Sequence, residues 1–103
     1  MLLCEFSMTP IGQGESVSKF VARCLDIVDK SGLEYRLTPM GTIIEGEWDD
    51  VFNTIKKCFE ALKVDCNRIS ITIKVDYRKG RSGALESKVK SVEEKLGRSL
   101  KKG

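Results

Sequence analysis

Histidine is absent from the 103 residues. The chain therefore lacks the commonest zinc ligand and the side chain most often used as a general base near neutral pH, which argues against metal catalysis and against Ser-His-Asp or Cys-His nucleophiles. Four cysteines, Cys4, Cys24, Cys58 and Cys66, form no CxxC pair and no spacing of a disulfide framework. They read as small buried hydrophobes, reduced in a reducing compartment. No apolar run approaches the roughly 18 residues of a membrane span. The opening MLLCEF lacks a charged segment followed by a long apolar one, so a cytoplasmic chain without a signal peptide is expected. Neither charge sign dominates: 18 Lys and Arg face 15 Asp and Glu for a net +3. The two signs are interspersed, so nucleic acid is not implied as a partner, and neither is a membrane.

What is present is the composition of one globular unit. At 41% hydrophobic and 32% charged, the length suits a single domain over residues 1–103 with one core and no linker. Leu2, Cys4, Phe6 and Met8 alternate with Leu3, Glu5, Ser7 and Thr9, the period of a strand with one apolar face. Pro10 ends it, and Ser16 is placed to cap a helix carrying Phe20, Val21, Cys24 and Val28 at helical spacing. Tyr35 to Thr38 and Thr42 to Glu45 read as two strands separated by Pro39, Met40 and Gly41. A second amphipathic helix carries Trp48, Val51, Phe52, Ile55, Phe59 and Leu62 on one stripe, with acidic residues in its first turn. Ile69, Ile71, Ile73, Val75 and Tyr77 face one way along the most regular strand, and Leu85, Val89, Val92 and Leu96 mark a third helix.

The order β-α-β-β-α-β-α predicts an α+β sandwich of the ferredoxin-like, split βαβ kind with an antiparallel four-stranded sheet and one extra helix. Right-handed crossovers put the first and third strands at the centre and the second and fourth at the edges. An isoleucine-rich edge strand is an aggregation hazard unless covered, and two edges with an open sheet face leave more apolar surface than a chain of this size hides. Self-association is therefore expected.

The segment YRLTPMGTIIEGEW carries the functional question. Pro39 either blocks edge pairing or bends the hairpin so that backbone approaches a ligand. Thr42 is either a good β-former or a hydroxyl able to donate to and accept from a heteroaromatic ring. Thr42 and Glu45 fall on opposite faces of a regular strand, and Ser7 and Thr9, at the end of the first strand, lie near Thr42 if the first and third strands pair. Arg78 and Arg81 flank Gly80 in a loop suited to an anion, although KGRSG lacks the ending of a P-loop.

EFSMTPIG, YRLTPMGTIIEGEW, RISITIKVDYR and KVKSVEEKL together resemble the thiamine-binding protein family, small proteins that bind thiamine or its hydroxymethylpyrimidine portion. The resemblance implies protomers that join sheets edge to edge into dimers and tetramers. It also implies a pyrimidine held by the backbone around Met8 and by the side chain of Thr42. The expected function is non-catalytic: a cytoplasmic carrier, buffer or sensor in thiamine supply, with thiamine or hydroxymethylpyrimidine as ligand and no further cofactor or metal. Such a site needs a ring-sized apolar slot, a hydroxyl or carbonyl, and a carboxylate near the thiazolium, drawn from Met8, Thr42, Ser7, Thr9 and Glu5 or Glu45. The alternative is an oligomeric interaction module with no small-molecule ligand. An enzyme ranks third, because carboxylates and cysteines do not cluster in the sequence.

Overall fold

The computed structural model describes residues 1–14, 17–80 and 83–101. Its elements are β1 (Leu2–Pro10), α1 (Ser18–Lys30), β2 (Glu34–Thr38), β3 (Gly41–Gly46), α2 (Trp48–Lys63), β4 (Ile69–Tyr77) and α3 (Ala84–Leu96). The sheet order is β2-β3-β1-β4, all neighbours antiparallel. The ferredoxin-like α+β fold is thus the one the element order demands.

The period of β1 decides which face is which. Leu2, Cys4, Phe6 and Met8 are buried and project toward α1 and α2, whose own buried residues recur at helical intervals: Phe20, Cys24 and Val28 on α1, and Val51, Ile55, Cys58 and Leu62 on α2. With Ile44 these side chains make one core. Each large apolar side chain taken fully out of water contributes about 1.5 to 3 kcal/mol before ordering costs. Arg23 ties the two helices together, its Nη1 donating to Ala61 O at 3.0 Å and to Asp65 Oδ2 at 2.8 Å. Ser16, the expected cap of α1, lies outside the described residues.

One expectation about packing is corrected. Trp48, assigned to the buried stripe of α2, is 59% exposed and rests on Phe52 with ring centroids 4.5 Å apart. The stripe turns inward only at Val51, one turn later. Ile71 and Ile73 share the core-side face of Met8 and Phe6 through their register, yet are 38% and 40% exposed, because the helices pack on β1 and β3 and leave the β4 edge projecting.

The reverse face carries α3. Glu45 pairs with Leu3 and sits on the face opposite Ile44. It is 7% exposed, and its carboxylate accepts the backbone N–H of Ala84 at the start of α3. A carboxylate at a helix N-terminus satisfies an orphan donor and complements the helix dipole. Lys88, one turn further along α3, pairs with Asp76 of β4. Glu45→Ala should therefore cost about 1 to 3 kcal/mol in urea unfolding and speed amide hydrogen exchange across α3 while leaving β1 and β3 protected. Unchanged exchange in α3 would contradict this account of how the helix is held.

Candidate functional site

The pairing of β1 with β3 runs from Leu2↔Gly46 to Phe6↔Thr42, whereas its pairing with β4 continues to Pro10↔Ile69. The β2–β3 hairpin is simply shorter than β1. Beyond Phe6, no strand among the described residues lies against the β3-facing side of β1, and a cavity of about 210 Å³ opens there. Met8 and Thr42 rise from its floor, Val21, Cys24 and Leu25 of α1 close one side, and Pro39 and Met40 of the hairpin close another.

Local chemistry explains why the hairpin stops where it does. Thr38 pairs with Gly41 around a two-residue turn, and no non-glycine residue among the described residues has a positive φ. The turn is therefore not of the primed type whose twist matches the flanking strands. Pro39 presets a negative φ instead. The Thr38 hydroxyl reinforces the bend by donating to Gly41 O at 2.9 Å and accepting from Met40 N–H at 3.3 Å. Gly41 is required for contact: a β-carbon there would lie 3.0 Å from the carbonyl oxygen of Phe6. That close approach anchors the last pair of the β1–β3 ladder.

The expected site residues separate into two groups. Met8, 7% exposed, and Thr42, 4% exposed, come together in the cavity. Ser7 and Thr9 also border it, but strand alternation turns their side chains to the reverse face, so their contribution is backbone. Glu5 and Glu45 do not reach it. Register sets Glu5 beside Ile43 and Glu45 beside Leu3 on the face carrying α3, where Glu5 borders a separate cleft with Lys74, Asp76 and Lys88. Both expected carboxylates thus lie on the opposite face of the sheet from the Thr42 cavity, and no charged side chain among the described residues lines that cavity. Arg78 lies at the end of β4, and Arg81, its expected partner in the anion loop, lies outside the described residues.

Thr42 has no hydrogen bond from its hydroxyl among the described residues, and no buried polar atom there is left fully enclosed without a partner. Its oxygen consequently opens onto the cavity. Sequence reasoning had assigned Val21 and Cys24 only to the core stripe of α1 and had given Leu25 no role. The difference in length between β1 and the hairpin was the readable sign that these residues border a gap.

Burial pushes the Cys4 thiol up to about 11, with the charge of Glu5 adding to it. Cys24 moves the other way. A hydrogen bond from the Cys58 thiol favours its thiolate, burial opposes this, and the Arg23 guanidinium assists. Among the described residues, no three His, Cys, Asp or Glu side chains are grouped to hold a metal ion, and no helix is long and apolar enough to cross a membrane.

A family model described as thiamine-binding protein matches residues 4–93. The chain belongs to the thiamine-binding protein family. Within it, a UPF0045 protein of Mycobacterium bovis is 39% identical over 96 residues, covering 92% of this chain and 94% of the relative. The solved structure of a hypothetical protein from Methanocaldococcus jannaschii is 31% identical, with a TM-score of 0.83 over 90% of this chain and 96% of that one. A candidate thiamine biosynthesis/salvage protein of Thermotoga maritima shares the fold at 20% identity, with a TM-score of 0.78 over 88% of this chain and 97% of the other. If the Gly41 contact sets the end of the ladder in this family member, Gly41→Val should lower stability by about 1 to 3 kcal/mol through overpacking against Phe6. A thermal midpoint equal to wild type would show that the close approach is not required.

Proposed function

We propose that the chain is a non-catalytic binding protein whose cavity between β1, α1 and the hairpin takes the pyrimidine ring of thiamine or of hydroxymethylpyrimidine, as a cytoplasmic carrier, buffer or sensor in thiamine supply. The observation that carries this reading is the Thr42 hydroxyl, buried, without a bond among the described residues, and open to an apolar slot. A hydroxyl can donate to one ring nitrogen or accept from an exocyclic amine, and the unpaired edge of β1 past Phe6 supplies backbone groups beside it. The volume of about 210 Å³ is smaller than the roughly 300 to 1,000 Å³ of sites that enclose drug-sized ligands. It suits a single ring inside, with the thiazolium of thiamine at the mouth. Binding of the ring itself involves no covalent step.

Thr42→Val keeps the β-branched shape and removes the hydroxyl. It should weaken thiamine binding by about fivefold to a hundredfold, the equivalent of about 1 to 3 kcal/mol, with the fold intact. Calorimetric titration measures this, and equal affinities for the two proteins would take Thr42 out of the site. Because no carboxylate among the described residues lines the cavity, the neutral hydroxymethylpyrimidine should bind within about tenfold of thiamine. A loss much larger than that would mean that an anionic group meets the thiazolium.

A second reading, an assembly module, draws on the exposed Ile71 and Ile73 along the open β4 edge. Self-association is compatible with ligand binding, whereas a module with no small-molecule ligand is the alternative to it. A homodimer or homotetramer formed by covering this edge removes the hazard of an unpaired strand. Sedimentation at micromolar concentration should find a species heavier than the 11.5 kDa monomer, and Ile73→Lys should shift it toward monomer. A wild-type monomer would refute assembly through this edge.

A further inference from the structure

The ligand cavity has a wall whose chemistry pyrimidine binding does not use. Cys24 borders it from α1, and behind Cys24 lies Cys58 of α2, wholly buried. The Cys58 Sγ–H donates to the backbone carbonyl oxygen of Cys24 at 3.6 Å. Two cysteines from facing helices are therefore in contact, one bordering a cavity and the other wholly buried. Both are unoxidised here. Cys4 and Cys66 are buried too, but neither borders the cavity.

We propose that Cys24 and Cys58 form a dithiol responsive to hydroperoxides, with the ligand cavity as its entrance. The Cys24 thiolate, its proton lost to solvent, attacks the nearer peroxide oxygen. The S–O bond forms as the O–O bond breaks, and the departing alkoxide or hydroxide takes up a proton. Sulfur is oxidised to the sulfenic acid and the peroxide is reduced to alcohol or water. The Cys58 sulfur then attacks Cys24, the S–O bond breaks, and the proton of Cys58 leaves with the hydroxyl group as water, giving a disulfide between α1 and α2. Proximity compensates for the weak acidity of Cys58, whose thiol is held protonated by its bond to Cys24 and by burial. The support of the Cys24 thiolate by Cys58 and Arg23 favours the first step. In a reducing compartment such a bridge is transient, as redox-sensing disulfides are.

The sulfur chemistry is independent of the ligand's identity, and only the protection experiment rests on the thiamine reading. Wild-type protein is treated with less than one equivalent of hydrogen peroxide, alkylated, and mapped by mass spectrometry without reduction. The expected product is a single linked pair of peptides containing Cys24 and Cys58, lighter by two hydrogen atoms, formed at least about tenfold faster than oxidation of Cys4 or Cys66. Cys58→Ala should leave a sulfenic acid at Cys24 that dimedone traps, and Cys24→Ala should leave no dimedone adduct. Oxidation spread evenly over the four cysteines, or wild-type protein in which Cys24 is oxidised without a link to Cys58, would overturn the proposal without needing either variant to fold. Thiamine at ten times its Kd should slow bridge formation about tenfold. A bridge that forms at the same rate with and without thiamine keeps the dithiol and removes thiamine as the occupant. Thiamine binding without any bridge removes the dithiol and keeps the ligand.

Discussion

The pairing of β1 on both of its sides is the constraint from which the rest of the molecule follows. As the central strand it fixes, residue by residue, which side chains meet the α1 and α2 layer and which meet α3. A slip of one residue would exchange the faces, burying Glu5 and Ser7 and exposing Phe6 and Met8, so the alternation of β1 specifies the register strongly. The same strand outruns β3 at Phe6, and that unequal length is what creates the cavity. Core and site are therefore two consequences of one ladder, the first where it is complete and the second where it ends.

This arrangement separates two kinds of polar group. Thr42 lies on the core-side face at the end of the ladder, where a hydroxyl without an internal partner is tolerated because the cavity is open to it. Glu45, three residues on and of opposite parity, lies on the other face, where its carboxylate is used by the N-terminus of α3. A buried charge needs a fixed donor, and the start of a helix provides one. Among the described residues the site is thus lined by no charged side chain and is apolar apart from threonine hydroxyls, a thiol and strand-edge backbone, a setting that favours a flat heteroaromatic ring over a phosphate or an ion.

Much of this was legible in the sequence, for reasons that differ by element. The alternation in β1 and the four-residue spacing of Phe20, Cys24 and Val28 report burial directly, and the crossover rule then orders the strands. The opposite faces of Thr42 and Glu45 also follow from parity. Which of the two faces a cavity does not, since that depends on where the hairpin ends against β1, a tertiary contact made by Gly41 and the carbonyl of Phe6. Glu5 and Glu45 were drawn toward the ligand by a chemical need for a carboxylate, and the register overrules that need. Trp48 was misplaced because helical periodicity gives a stripe but not the turn at which a helix first meets the sheet. The contact between Cys24 and Cys58 is 34 residues apart in the chain and depends on how α1 and α2 pack, so no spacing rule reveals it.

The central claim is that ligand recognition happens at the broken end of the β1–β3 ladder, on the face shared with α1. Titration of thiamine into isotopically labelled protein, followed by backbone amide resonances, tests it most directly. The account predicts shifts concentrated at Ser7 to Thr9, at Thr38 to Thr42 and along α1 from Val21 to Leu25, with Leu3, Lys74 and Lys88 unmoved. Shifts centred instead on the reverse face around Glu5, Lys74 and Lys88 would place the ligand beside α3 and contradict it.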